Sequence, residues 1–221
     1  MTRRAPLDPD RPTPELLLEA YRRGIFPMAD PDSGRIDWFS PDPRAIFPLD
    51  RFHVPRSVAR AARSGRFEIA TDTRFEAVMR ECAAPDVGRE RTWIDERLVA
   101  AYVGLHRLGH AHSVEAFRDG QLVGGLYGVH LGAAFFGESM FSRPERGGTD
   151  ASKVCLVRLV ELMRARGFLL LDTQFSTPHL ARFGCIRIRR PVYLALLADA
   201  VAARADWPLP GALDASETPP A

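Results

Sequence analysis

The chain has 221 residues, a net charge of +2, and 46% hydrophobic against 26% charged residues, the balance of an ordinary globular protein of one large or two small domains. No apolar run approaches the ~20 residues that cross a bilayer, and Met1 to Pro6 lacks a signal peptide's apolar core. Cys82, Cys155 and Cys185 are too few and scattered for a disulfide frame, so reduced thiols in a cytoplasm are expected.

Residues 1–12 are rich in Pro, Asp and Arg and predict loose order. Thr13-Pro14-Glu15 starts a helix, with Thr13 as N-cap, and Gly24 stops it. Ile25 to Met28 reads as an apolar turn, followed by a polar loop to Asp37. Trp38 to Arg44 carries two prolines that fix an extended path, then come the short apolar Ala45-Ile46-Phe47. These pieces predict a small N-terminal α/β unit over residues 1–52. Beyond it, Val54 to Arg63 reads as a helix, Phe67 to Ala70 as a strand and Thr73 to Cys82 as a helix. Arg89 to Ile94 is a loop carrying Trp93. Asp95 caps a helix with Leu98, Ala101, Tyr102, Leu105 and Leu108 at helical spacing.

Three strands follow. Ser113 to Arg118 and Gln121 to His130 are joined by Asp119-Gly120, a two-residue hairpin signal, and Ala133 to Phe141 is the third. Asp150 is placed to cap a helix over Ala151 to Arg166. Then come a strand over 168–174, a helical turn near His179 to Phe183, an alternating Ile186-Arg187-Ile188 and a helix from Pro191 to Arg204. A meander followed by a strand–helix–strand crossover is the plan of the GNAT acyltransferases, here over residues 53–205. Residues 206–221, with four prolines, read as a tail. The fold class is therefore mixed α/β (α+β).

Two strands carry groups an apolar strand has no structural use for. Phe168 to Leu171 runs into Asp172-Thr173-Gln174, and strand alternation points Asp172 and Gln174 the same way. The end of a strand is where open α/β sheets place chemistry, although a strand can also simply run into a polar loop. Glu138 lies inside Phe135 to Phe141, and a buried carboxylate is costly unless paired. It either recognises a cation or forms an internal ion pair, with Arg143 or Lys153 as candidates.

Four stretches in order carry a resemblance: Tyr21 to Pro27, Trp38 to Arg44, Gly124 to Gly128 with Phe136 to Ser142, and Ala151-Ser152-Lys153 with Asp172-Thr173-Gln174. Leu105 to Glu115 joins them. Together the chain resembles the leucyl/phenylalanyl-tRNA–protein transferases from about Tyr21 to Phe183. The resemblance implies transfer of Leu, Phe or Met from aminoacyl-tRNA to the α-amine of proteins beginning with Arg or Lys. It further implies marking for N-end-rule degradation, no cofactor or metal, and action as a monomer.

On that resemblance Asp172, Gln174 and Glu138 are the catalytic candidates. The carboxylate of Asp172 would polarise the amide or the amine, and Gln174 would orient the nucleophile. Leu126, Phe135, Leu156, Leu159 and Met163 match the family's donor side-chain pocket; by pattern alone such a stripe is plain core. Tyr21, Trp93 and Tyr102, with Trp38 second, match aromatic positions for the terminal adenosine. Arg22, Arg23, Arg44 and Lys153 are candidate phosphate contacts, with a solvated face as the alternative for each. Met28 stands where many relatives carry Trp, and Thr177 where many carry Asn.

Three other readings compete. His106, His110 and His112 suggest a metal, but Gly109 interrupts the helix and no carboxylate or cysteine sits at ligand spacing. A CoA-dependent GNAT acetyltransferase would need a pyrophosphate loop whose spacing Gly147-Gly148 does not reproduce. A non-catalytic tRNA-end-binding module would bind without transfer.

Overall fold

The computed structural model describes residues 11–85 and 91–213. The expectations for residues 1–10, for Arg89 and Glu90, and for the tail from 214 onward lie outside the described residues. Helix α1 (Pro14–Arg22) starts as its sequence dictates: Thr13 Oγ1 accepts the N–H of Leu16, and proline occupies the first turn. Met28 does not lie in a turn. Strands β1 (Phe26–Ala29) and β2 (Ile36–Phe39) pair as a separate antiparallel hairpin.

The remaining strands form one eight-stranded sheet, taken here in chain order. They are β3 (Arg44–Phe47), β4 (Glu68–Thr71), β5 (Ala111–Arg118), β6 (Gln121–Leu131), β7 (Ala134–Ser142), β8 (Leu170–Gln174), β9 (Ile186–Ile188) and β10 (Gly211–Ala212). Their spatial order is β10-β4-β5-β6-β7-β8-β3-β9. Asp119 and Gly120 turn the β5–β6 hairpin with φ of 52° and 71°, the two positive values a tight primed turn needs. Every neighbouring pair is antiparallel except β7 and β8, which run parallel. A parallel pair needs a crossover, and α5 (Ala151–Ala165) supplies it. The expected meander-then-crossover plan is present.

Helices cover both faces. α1, α3 (Phe75–Ala83), α4 (Glu96–Arg107) and α7 (Arg190–Ala202) seal one face, with Tyr21, Met79, Leu98 and Tyr193 in its core. α5 seals the other, backed by α2 (Arg56–Arg63), with Val154, Leu159, Met163 and Phe183 in its core. α5 approaches β6 closely because of Gly124: a Cβ there would collide with Ala151. Among the described residues no helix is long and apolar enough to cross a membrane.

Three expectations change. β3, expected to belong to an N-terminal unit ending at residue 52, sits inside the main sheet between β8 and β9. Its four residues are all buried, so burial outweighed nearness in sequence. The tail is anchored: Trp207 stacks on His112 and Phe135 at 4.5 and 5.2 Å, and β10 pairs with β4. Asp150 does not cap α5 with its side chain; it adopts φ 67° and binds Lys153 instead.

Candidate active site

β7 and β8 pair only as far as Phe136 opposite Asp172. Past that point each strand leaves the ladder. The β6–β7 register shifts between Tyr127 and Gly128, so that Gly137 and Ser139 find partners and Glu138 is the extra residue of a bulge. Such bulges re-aim a side chain. On β8, Gln174 adopts φ 56°, a left-handed value uncommon for a residue with a side chain. Backbone pairing is replaced by one side-chain bond: Gln174 Nε2 donates to Glu138 Oε1 at 3.1 Å.

The gap holds a cavity of about 120 Å³. Leu126, Leu156, Leu159, Leu171, Leu180, Phe47 and Met140 provide the apolar lining, and Glu138, Gln174, Ser139 and Thr173 the polar part. That volume compares with the ~150 Å³ apolar cavity that admits benzene. It suits one side chain the size of leucine or phenylalanine.

The expected Asp172–Gln174 pair is divided between two tasks. Gln174 and Glu138 line the cavity; Asp172 does not. Asp172 is fully buried. Arg44 Nε donates to its Oδ1 at 2.9 Å and Nη2 to its Oδ2 at 2.6 Å, while Tyr193 Oη donates to Oδ2 at 2.7 Å. The backbone N–H of Gln174 donates to Oδ1 at 2.9 Å. A carboxylate so saturated is no free proton acceptor. Its hydrogen bond from Gln174 N holds the backbone at the residue with the unusual φ. The pairing with β3 shifts register between Asp172 and Gln174, and Gln174 leaves the regular pleat.

Glu138 is the carboxylate that meets the cavity. Besides Gln174 it accepts from Tyr102 Oη at 3.3 Å, and Tyr102 Oη lies 2.5 Å from Tyr21 Oη. Its pKa is raised from the ordinary 4.5 to about 7: burial does most of this, and the Tyr21, Arg44 and Tyr102 interactions pull back only part. Burial, with the Glu138 carboxylate nearby, holds both tyrosine hydroxyls protonated. Neither Arg143 nor Lys153 is its partner, since these bind Glu81 and Asp150.

Several other assignments are corrected. Arg44 cannot meet a phosphate, being 1% exposed and committed to Asp172; a buried carboxylate needs that cation more than solvent does. Tyr21 and Tyr102 offer no face to a base, because both rings are buried in the core and packed on Phe136 and Tyr127. Phe135 and Met163 lie in the core rather than the cavity, Phe135 under Trp207. Leu126, Leu156 and Leu159 line the cavity. Trp38 and Trp93 are partly buried against the core that holds Tyr21 and Tyr102, and neither lines the cavity. Arg22 is exposed, while Arg23 and Lys153 pair with Glu19 and Asp150. Thr177, in place of asparagine, still caps α6 (Pro178–Ala181) by accepting from Leu180 N.

The metal question changes form. Asp72, distant in sequence, joins His106 and His112, with ligand atoms within 4.8 Å of one another. His112 Nδ1 lies 2.7 Å from Asp72 Oδ2, but His106 Nδ1 already faces the carbonyl of Ala111 at 2.9 Å. A cation there would have to displace that bond. Cys155 is sealed in the core and its thiol pKa is pushed up by burial, which removes it as a nucleophile.

The sequence reading missed Phe47, Met140, Leu171 and Leu180 in the lining, and Tyr193 beside Asp172. Leu171 was not legible, since it alternates with Asp172 and so faces away from the side on which the sequence placed the chemistry. Tyr193 had no local signal.

A family model described as leucyl/phenylalanyl-tRNA protein transferase matches residues 46–198, and its N-terminal domain model matches residues 10–42. The chain belongs to this family. Relatives named leucyl/phenylalanyl-tRNA–protein transferase agree across nearly the whole length. The Nitrobacter winogradskyi protein is 53% identical over 208 residues, covering 90% of this chain and 91% of its own. That of Rubrobacter xylanophilus is 55% identical over 192 residues, 86% and 96%. That of Paramagnetospirillum magneticum is 56% identical over 191 residues, 86% and 90%. Membership makes the chain an aminoacyltransferase, and the two family segments meet between residues 42 and 46, where β3 enters the sheet.

Proposed function

We propose that this transferase moves Leu, Phe or Met from aminoacyl-tRNA onto the α-amine of proteins that begin with Arg or Lys, marking them for N-end-rule proteolysis. One observation carries the reading: an apolar cavity sized for a single side chain has Glu138 and Gln174 as its polar neighbours. The donor's side chain fills the cavity, which places its ester carbonyl beside the pair. Such a pocket separates one methylene by only ~1–3 kcal/mol, consistent with a mixed donor set. A charged tRNA donor places the reaction in the cytoplasm.

The incoming α-ammonium has an ordinary pKa near ~8 and must lose a proton. Glu138 takes it, since a base tuned near neutrality is suited to that task. Gln174 gives its Nε2 to Glu138, which leaves its amide oxygen to orient the amine. The amine nitrogen attacks the ester carbonyl, the C–N bond forms, the C–O bond to ribose breaks, and the ribose oxygen leaves with a proton. One proton is released overall. Asp172, with Arg44 and Tyr193, is a positioning group for Gln174.

The test is incubation with leucyl-tRNA and peptides beginning with Arg, Lys, Asp or Ala. Transfer to the Arg and Lys peptides alone is the expected result. Preference for Asp would overturn the acceptor assignment, and no transfer to any peptide would overturn the reaction.

A further inference from the structure

With Tyr21 and Tyr102 buried, the donor RNA needs another surface, and one lies at the sheet's edge. β9 is the outermost strand on the side of β8. Ala45 of β3 pairs with Gln174 on one side and with Arg187 on the other. Two strand spacings therefore separate Arg187 from Gln174, roughly 10 Å. β8 and β9 both run antiparallel to β3, with Ile188 opposite Arg44. Arg189 and Arg190 thus leave the sheet at the same end as Gln174.

Arg187, Arg189 and Arg190 are exposed. The nearby Asp42 carboxylate accepts the backbone N–H of Arg190 and so anchors the chain there. Two aromatic rings belong to segments that lead to this end of the sheet: Phe39 closes β2 shortly before Asp42, and Phe175 follows β8. Phe175, directly after Gln174, is 48% exposed, and Phe39 is 38% exposed. Both rest on Phe26, at 5.7 and 6.0 Å between ring centroids. Phe26 is itself held under the Arg44 guanidinium, so the platform has a rigid base.

Arginines interleaved with exposed aromatic rings are the composition of a single-stranded nucleic-acid track: rings stack on bases and guanidiniums hold phosphates. We infer that the unpaired 3′ strand of the donor RNA crosses this lip, with bases on Phe39 and Phe175 and backbone phosphates on Arg187, Arg189 and Arg190. The inference rests on the aminoacyl-tRNA reading above. The competing role is protection of an edge strand against pairing, which exposed cations also provide.

An Arg187→Gln/Arg189→Gln double variant separates the two. Its donors are leucyl-tRNA and leucyl-adenosine, an ester with no phosphate. With leucyl-tRNA, KM rises severalfold and kcat holds; with leucyl-adenosine, nothing changes. Raising salt from 50 to 200 mM costs the variant about sevenfold less affinity for tRNA than it costs the parent, from two lost phosphate contacts on a single strand. Unchanged KM and salt slope overturn the inference in favour of edge protection, and equal loss with both donors overturns it in favour of a structural role. If the parent uses neither donor, the functional reading falls by itself. The inference is then decided by uncharged tRNA: equal affinity of parent and variant overturns it.

Discussion

Glu138 carries the highest stakes of any residue in the cavity because its proton bears on folding and, in the proposed mechanism, on the chemistry. Its folded pKa, about 7, exceeds its unfolded value. Below roughly pH 4 both states hold the proton and the site costs nothing. As pH rises towards 7 the unfolded chain ionises first, and folding loses up to about 3 kcal/mol, less whatever the partly exposed carboxylate recovers from solvent. Glu138→Gln should therefore melt higher than the parent at pH 8, the difference vanishing in acid. Its transfer rate should fall about a hundredfold and lose the inflection near neutrality. A variant whose pH–rate profile overlays the parent's would remove Glu138 from the proton path. Tyr193→Phe addresses the other carboxylate. Deleting one hydrogen bond to a charged group should cost about 1.5–3 kcal/mol in urea unfolding. It should lower kcat more than KM, because in the proposed mechanism Asp172 positions Gln174 rather than touching substrate.

At the scale of elements, α5 and β8 decide what the cavity accepts. Leu156 and Leu159 reach it from α5, and Leu171 and Gln174 from β8. Leu159→Ala should enlarge the space and shift kcat/KM towards phenylalanyl over leucyl donors by about tenfold, read from competition between the two charged tRNAs. An unchanged ratio would place the donor side chain elsewhere. Most of these elements were legible in the sequence. α1, α4 and the β5–β6 hairpin begin and end where caps, turn residues and periodicity say, and α5 spans its expected range although the Asp150 side chain does not cap it. The β1–β2 hairpin was not, since Phe26-Pro27-Met28 has no alternation and a proline that argues against a strand. A hairpin outside the main sheet tolerates it.

For the whole molecule, the C-terminal segment ties the sheet's far edge to its α5 face. Ala205 N donates to Gly132 O and Leu213 N to Ile69 O, while Trp207 lies over His112 and Phe135. Trp207→Ala should lower the unfolding free energy by about 2–4 kcal/mol, somewhat under a fully buried tryptophan. The cavity lies elsewhere, so transfer at low temperature should persist. A proline-rich stretch looks like a tail in one dimension because its partners, His112 and Phe135, are about 70 to 95 residues away by order of magnitude.

Sequence alone determined the element order through caps and periodicity, and motif order carried the resemblance that pointed to the family and nominated Glu138, Gln174, Leu126, Leu156 and Leu159, because all of these signals are local. Only the tertiary structure decided which polar groups face substrate. Arg44 and Asp172 are 128 residues apart, and each alone reads as available for chemistry. Together in a dry core they neutralise one another, which leaves Glu138, at the gap between β7 and β8, as the carboxylate lining the cavity and the base of the proposed mechanism.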